Sequence, residues 1–270
     1  MRNPAQEKFR KILVFVVALT AVFVWAAPSK AWAQQSIALD KEISDPRGLA
    51  WDGASFWING GNALALFQID PDTGSILRRV GLPDTQFQHP RALAWQPSDG
   101  TFWLADEGTR MLLKLRVNPD DDSAEVVHFF DAPDADLSRI VVTGVEWDEG
   151  GAYPGLWMCT SLGLCTTVKK IDVESGRVLI SFYPVCDPRG LAIRDRTLWT
   201  FSASRGRSSS KLMRFDISED DWRQVKRSRM LGPVAPVELL SGLTTRAGSL
   251  WTLDRAERTV FPIAEKTSPD

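Results

Sequence analysis

The sequence predicts an all-β protein, a five-bladed β-propeller of four-stranded antiparallel blades. Three observations carry that expectation: a Trp-centred strand that recurs five times, an apolar strand entered through a turn ahead of each recurrence, and two chain ends that complement one another. The recurring strand reads FWING at Trp57, FWLAD at Trp103, LWMCT at Trp157, LWTFS at Trp199 and LWTLD at Trp251, at spacings of 46, 54, 42 and 52 residues. Ahead of these stand PRGLAW, PRALAW, VTGVEW, PRGLAI and LSGLTT. Behind them come third strands ending in Asp and a turn, as in LFQIDPDTG and VKKIDVESG, and then a fourth, as in SILRRVGLP. Four short strands repeated at this period are the content of a propeller blade.

The stretch DPRGLAWDG at residues 45–53 returns almost unchanged as DPRGLAIRD at 187–195. Pro presets the turn and Gly lets the chain enter a crowded centre, so the duplication reads as punctuation between blades. The last repeat has residues only for its third strand, TVFPIA, before a polar tail, whereas QSIALDKEIS precedes the first inner strand with no blade of its own. Adding that N-terminal segment to the last blade supplies its missing strand and closes the ring, which limits exposed sheet edges. Composition agrees. Eleven Trp against two Tyr, with 19 Gly and 16 Pro, suit many short strands and tight turns. The repeating Trp is expected to fill the wedge between neighbouring blades.

Residues 1–33 stand apart. A basic start, an apolar run from Ile12 to Ala27 and the A-x-A pattern at Ala31-Trp32-Ala33 read as a secretory signal. The run is shorter than the roughly 18–20 apolar residues of a membrane span, and no second long run follows. The expected mature part is a single domain over residues 34–270, periplasmic or secreted, with no stable membrane span. Without the leader's five basic and one acidic residues, 27 Lys and Arg face 33 Asp and Glu, a net charge of −6. Nucleic-acid binders carry basic surfaces, so no nucleic-acid partner is expected.

Chemistry is restricted by the histidine supply, His89 and His128 alone. No G-x-S-x-G, H-E-x-x-H or C-x-x-C stretch is present, so no metal or cofactor is expected and carboxylates are left to act as acid or base. Arg47, Arg91 and Arg189 occupy one repeat position, each after a Pro at the entry to an inner strand; Thr143 and Ser241 take that place in the other blades. Propeller geometry gathers these loops at one channel mouth, with His89 beside them. There they either bind a carboxylate- or phosphate-bearing ligand or are held by Asp45, His89 and Asp187 two residues upstream. The loops after the Trp strands open on the same face and bring Asp106, Glu107, Asp254 and Glu257, with turn capping an alternative for Asp106 and Asp254. Residues 189–229 are basic and 118–149 acidic, a polarity suited to an oriented protein partner. Cys159 and Cys165 flank a short turn, where a local disulfide is one possibility; Cys186 pairing with one of them is another.

The pattern GLAWDGASFWING…LFQIDPDTGSIL resembles the repeats of bacterial glutamine-cyclotransferase-like propellers and of the wider secreted lyase-like and quinoprotein-like set. The resemblance covers most of residues 34–270 and implies the propeller fold. Glutaminyl cyclotransferases of this shape carry an acidic residue after the first blade's second strand, where this sequence has INGGN. Their N-E-L-E stretch is echoed in TGVEW, which carries over one position, Glu146. Two functions follow as expectations: a binding or scaffolding propeller holding a protein or a small anionic ligand at the channel mouth, or a cyclotransferase-like or lyase-like enzyme using Glu146, Glu107 or Asp106.

Overall fold

The computed structural model describes residues 36–83, 87–133, 141–151, 153–162, 165–183, 187–203, 210–217, 227–235 and 240–263. The chain divides into Met1–Ser36 and Ile37–Asp270. The expected leader at residues 1–33 and Cys186 lie outside the described residues.

Within Ile37–Asp270 the short β1 (Ile37–Ala38) is followed by five sets of strands. Blade one is β2 (Pro46–Trp51), β3 (Phe56–Gly60), β4 (Ala65–Ile69) and β5 (Ile76–Gly81). Blade two is β6 (Pro90–Gln96), β7 (Thr101–Asp106), β8 (Met111–Val117) and β9 (Ala124–Asp131). Blade three is β10 (Val141–Asp148), β11 (Gly155–Leu162), β12 (Cys165–Ile171) and β13 (Val178–Phe182). Blade four is β14 (Asp187–Arg194), β15 (Thr197–Ala203), β16 (Ser210–Asp216) and β17 (Arg227–Ala235). Blade five takes β18 (Leu240–Arg246), β19 (Ser249–Asp254) and β20 (Thr259–Pro262) from the end of the chain and β1 from its beginning. Ile37 pairs with Val260 and Ala38 with Thr259, so the ring closes where the unmatched chain ends predict.

Five apolar clusters fill the five seams. Trp57 packs with Leu93 and Phe102 of blade two, Trp103 with Val145 and Leu156 of blade three, and Trp157 with Leu191 and Leu198 of blade four. Trp199 packs with Leu243 and Leu250 of blade five, and Trp251 with Leu49 and Phe56 of blade one. Each repeat Trp thus belongs to the seam with the following blade, and its large apolar area is what holds adjacent sheets together.

The residue that follows or ends each inner strand decides how the indole is satisfied. In blades one to three it is Asp52, Gln96 or Asp148, which accepts the N–H of Trp57, Trp103 or Trp157 at 2.7, 2.8 and 3.2 Å. In blades four and five it is Arg194 or Arg246, whose guanidinium instead lies 4.8 Å from the ring centre of Trp199 or 5.1 Å from that of Trp251. Trp199 Nε1 is then buried with no partner among the described residues.

Around the channel the inner strands touch. Gly190 and Gly242 adopt φ of 63° and 70°, and a Cβ on Gly190 would meet the Gly242 backbone at 3.0 Å, while one on Gly242 would meet Leu49 at 2.7 Å. Only glycine allows both the conformation and the approach. Side chains bridge the same level: Asn59 Nδ2 donates to Pro90 O at 2.9 Å, Thr143 Oγ1 to Pro188 O at 2.7 Å and Ser241 Oγ to Pro46 O at 3.4 Å. Thr143 and Ser241, the non-arginine members of the repeat position, fasten their blades to the next.

Candidate functional site

The inner strands run in one direction around the channel, so the ring has an entry mouth, where they begin, and an exit mouth, where they end. Arg47, Arg91 and Arg189 stand at the entry mouth, half-buried. Arg47 Nε lies 2.7 Å from Asp45 Oδ2, and Asp45 Oδ1 also accepts from Arg255 of blade five. Arg91 pairs with Glu107, whose carboxylate is also 3.9 Å from Arg47 Nη1. Asp45, Arg47, Arg91, Glu107 and Arg255 therefore form one ionic chain across blades five, one and two. Burial alone would raise the Asp45 carboxyl, but hydrogen bonds from Arg255 and Arg47 outweigh it and hold it below its ordinary value.

Asp106 is nearly fully buried, and its carboxylate accepts the backbone N–H groups of Gln88, His89 and Thr109 at 2.8, 3.1 and 3.0 Å. Asp254 likewise caps Ala256 and Glu257. Both are occupied in turns. The His89 side chain is exposed, and it is the backbone of His89, not its ring, that joins the turn. The arginine partners are therefore Asp45 for Arg47, as the sequence suggests, and Glu107 for Arg91 in place of His89. The side chain of Asp187 lies outside the described residues.

Glu146 lies elsewhere. It sits near the end of β10, opposite Trp157 in register, and so belongs to the exit mouth, whereas Glu107 follows the β7 residue paired with Pro90 at the entry mouth. The three carboxylates singled out as acid or base do not share a site.

The exit mouth holds a cavity of about 320 Å³. Trp51, Trp95 and Trp147, equivalent residues of blades one to three, line it together with Glu146, Asp148 and Arg196. In blades four and five the same position holds Ile193 and Thr245, which opens room across from the three indoles. Trp147 Nε1 is buried without a partner among the described residues.

Glu146 keeps part of its surface open to this cavity yet is surrounded by protein atoms. Burial pushes its carboxyl well above the ordinary glutamate value; the Ile193 N–H, 3.4 Å from Oε1, offsets this in part, and the neighbouring Asp148 charge adds to it. Asp148, by contrast, is held by Lys170 Nζ at 2.8 Å, Arg196 Nη1 at 2.7 Å and the Trp157 indole. Its side chain is 2% exposed and that of Lys170 1%. Two carboxyls two residues apart thus lie in different surroundings: burial favours the protonated form of Glu146, whereas Asp148 sits in a buried ion cluster with Lys170 and Arg196. Glu149, next along the chain, accepts the Ser98 N–H at 2.8 Å. No group of three or more metal-binding side chains occurs among the described residues.

Sequence reasoning singled out Glu146 but not its cavity. The Trp51, Trp95 and Trp147 letters are legible at one repeat position; Arg196 is not, because it reaches Asp148 from a turn of the next blade in which Asp195 and Arg196 take φ of 49° and 53°.

The hairpin bridge between Cys159 and Cys165 is corrected by the register. Cys159 is opposite Val168 and Cys165 opposite Leu162. Three residues of extended strand separate the paired positions by roughly 10 Å, beyond the reach of a disulfide. Cys159 is buried, its Sγ 3.4 Å from Thr143 Oγ1.

The glutaminyl cyclase of Myxococcus xanthus matches with a TM-score of 0.56 and 11% sequence identity, over 85% of this chain and 93% of that one. A chain of a nidogen–laminin complex matches at 0.55 and 13% identity, over 80% of this chain and 74% of its own. The PQQ-bound aldose sugar dehydrogenase of Streptomyces coelicolor matches at 0.49 and 12%, over 84% and 96%. The likeness is one of fold. No protein-family model and no curated protein sequence matches this chain. No helix among the described residues is long and apolar enough to cross a membrane.

Proposed function

We propose that this chain is an exported propeller that binds a small ligand in the Glu146 cavity at the exit mouth. The observation that carries the reading is the cavity itself: about 320 Å³ bounded by three equivalent indoles, with the Glu146 carboxyl, whose protonated form burial favours, facing it. Small-molecule sites are concave, largely apolar and supplied with a few convergent polar groups. The test is tryptophan fluorescence of the full chain against a panel of small polar molecules: a saturable change that Trp95→Leu removes supports the site, and no response from any member of the panel rejects it.

The binding role expected at the arginine mouth, for a protein or an anionic ligand, is narrower. An anion there competes with Asp45 for Arg47 and with Glu107 for Arg91. Such binding would be weak and strongly salt-dependent.

The specific observation favouring a second, catalytic reading is again Glu146. A carboxyl that faces a cavity and whose protonated form is favoured by burial is a candidate general acid. Cyclisation of an N-terminal glutaminyl residue expels ammonia, whose nitrogen must gain a proton as the α-amino group attacks. Ammonia release from a glutaminyl peptide, lost in Glu146→Gln, would establish it; no turnover by the folded protein would exclude it.

A further inference from the structure

We infer that the exit cavity takes an organic cation, an alkylammonium head seated against Trp95 and Trp147 with Glu146 as its counter-charge. The inference rests on the proposed ligand-binding role of that cavity and names the class of ligand.

Its first support is the use this fold already makes of indoles. Lys114 lies 5.7 Å from the ring centre of Trp103, Lys170 5.8 Å from Trp157, and Arg194 4.8 Å from Trp199. Arg246 stands 5.0 Å from the ring of Trp51. Among the described residues no cation stacks on Trp95 or Trp147, the other two indoles of the cavity. An aromatic-lined recess attracts a cation through the negative faces of its rings, most strongly where water is excluded.

The second support is the charge around Glu146. On its own strand stand Asp148 and, just beyond, Glu149; from β12 comes Lys170 and from the turn after β14 comes Arg196, both on Asp148. Arg246 of β18 is directed to Pro71 O and Asp72. Lys170 and Arg196 balance Asp148 and Glu149, so the cavity is neutral while Glu146 holds its proton and carries one negative charge when Glu146 loses it. A neutral ligand gives that proton no reason to leave. A cation does, and its entry exchanges one positive charge for another: the ligand comes in and the Glu146 proton goes to solvent. An anion would meet Glu149 and the indole faces, with Arg196 already committed to Asp148.

The experiment is calorimetric titration of the full-length protein with tetramethylammonium, with neutral tert-butanol of similar shape, and with acetate, each across a pH series and in two buffers of different ionisation enthalpy. The expected result is that tetramethylammonium binds at least tenfold more tightly than tert-butanol. Its affinity should rise by up to roughly tenfold per pH unit until Glu146 is ionised, with one proton released per cation. Glu146→Gln, which keeps the acceptor for the Ile193 N–H, should abolish the proton release and flatten the pH dependence, and Trp95→Leu should weaken binding with Glu146 intact. Equal binding of tert-butanol, preference for acetate, or pH-independent cation binding by the wild-type protein overturns the inference and leaves the cavity a ligand site. Absence of binding by all three probes overturns the cation inference, and the wider fluorescence panel then decides whether the cavity binds any small ligand.

Discussion

Arg196 of blade four places its guanidinium Nη1 2.7 Å from the carboxylate of Asp148 in blade three, and the same carboxylate holds Lys170 at 2.8 Å. One buried anion thus joins the two halves of a seam and neutralises an ammonium that is almost fully enclosed. Removing it strands that ammonium. Asp148→Ala should cost about 3–5 kcal/mol, the range for breaking a buried ion pair from one side, read as a shift in the urea unfolding midpoint. Arg196→Ala leaves Lys170 on Asp148 and should cost less.

Glu146 makes stability fall as pH rises. Its folded-state carboxyl holds the proton more tightly than the unfolded chain does, so the folded form is favoured fully below the ordinary glutamate value. That advantage is lost as pH climbs from there through the raised folded value, because the folded state must then bury a charge. Glu146→Gln has no such dependence. Thermal melts between pH 4 and pH 9 should show the variant gaining on the wild type with rising pH, and parallel curves would contradict the assignment.

Asp45 acts in the opposite sense. Held below its ordinary 3.8 by Arg255 and Arg47, against the effect of burial, it favours the folded state above that value. The contribution disappears as pH falls from about the unfolded value through the depressed folded one. Because Arg255 belongs to blade five and Asp45 precedes blade one, the loss falls on ring closure. Asp45→Asn should weaken the protein at neutral pH and make the wild-type and variant stabilities converge in acid, as measured by urea unfolding at pH 7 and pH 2.5.

The indole partners give a fourth prediction. Trp103 donates to the buried Gln96, whereas Trp199 Nε1 has no acceptor among the described residues. Replacement by Phe removes the same ring area from each seam, but only Trp103→Phe leaves a buried acceptor without its donor. It should cost about 1–3 kcal/mol more than Trp199→Phe, and equal unfolding midpoints for the two variants would remove the basis of that difference.

The ring was legible because its evidence is repetitive: the Phe/Leu-Trp strand, the PRG turn and the unmatched ends recur or complement one another whatever the loops do. The entry mouth was legible in part. The shared position of Arg47, Arg91 and Arg189 is a property of the repeat, and so is the Asp45–Arg47 contact two residues away. Glu107 reaches Arg91 from the loop after the neighbouring strand and Arg47 from the next blade, and Arg255 reaches Asp45 from blade five, contacts that leave no local pattern. The exit cavity was hidden for a related reason: it arises from what two blades lack, Ile193 and Thr245 standing where three others carry Trp. The cysteines show the limit of spacing arguments, since six residues across a turn bring two chain positions near but only the register decides whether they face each other.

Strand β1 is two residues long, and its pairing with β20 brings position 37 beside position 260. Anything fused upstream of the ring and anything fused downstream therefore emerge from the same point on the rim, on the outer edge of one sheet and away from both mouths. Force applied to the upstream attachment would peel a single short strand before it loaded any other blade, so the wheel yields at its fastening while its spokes stay intact.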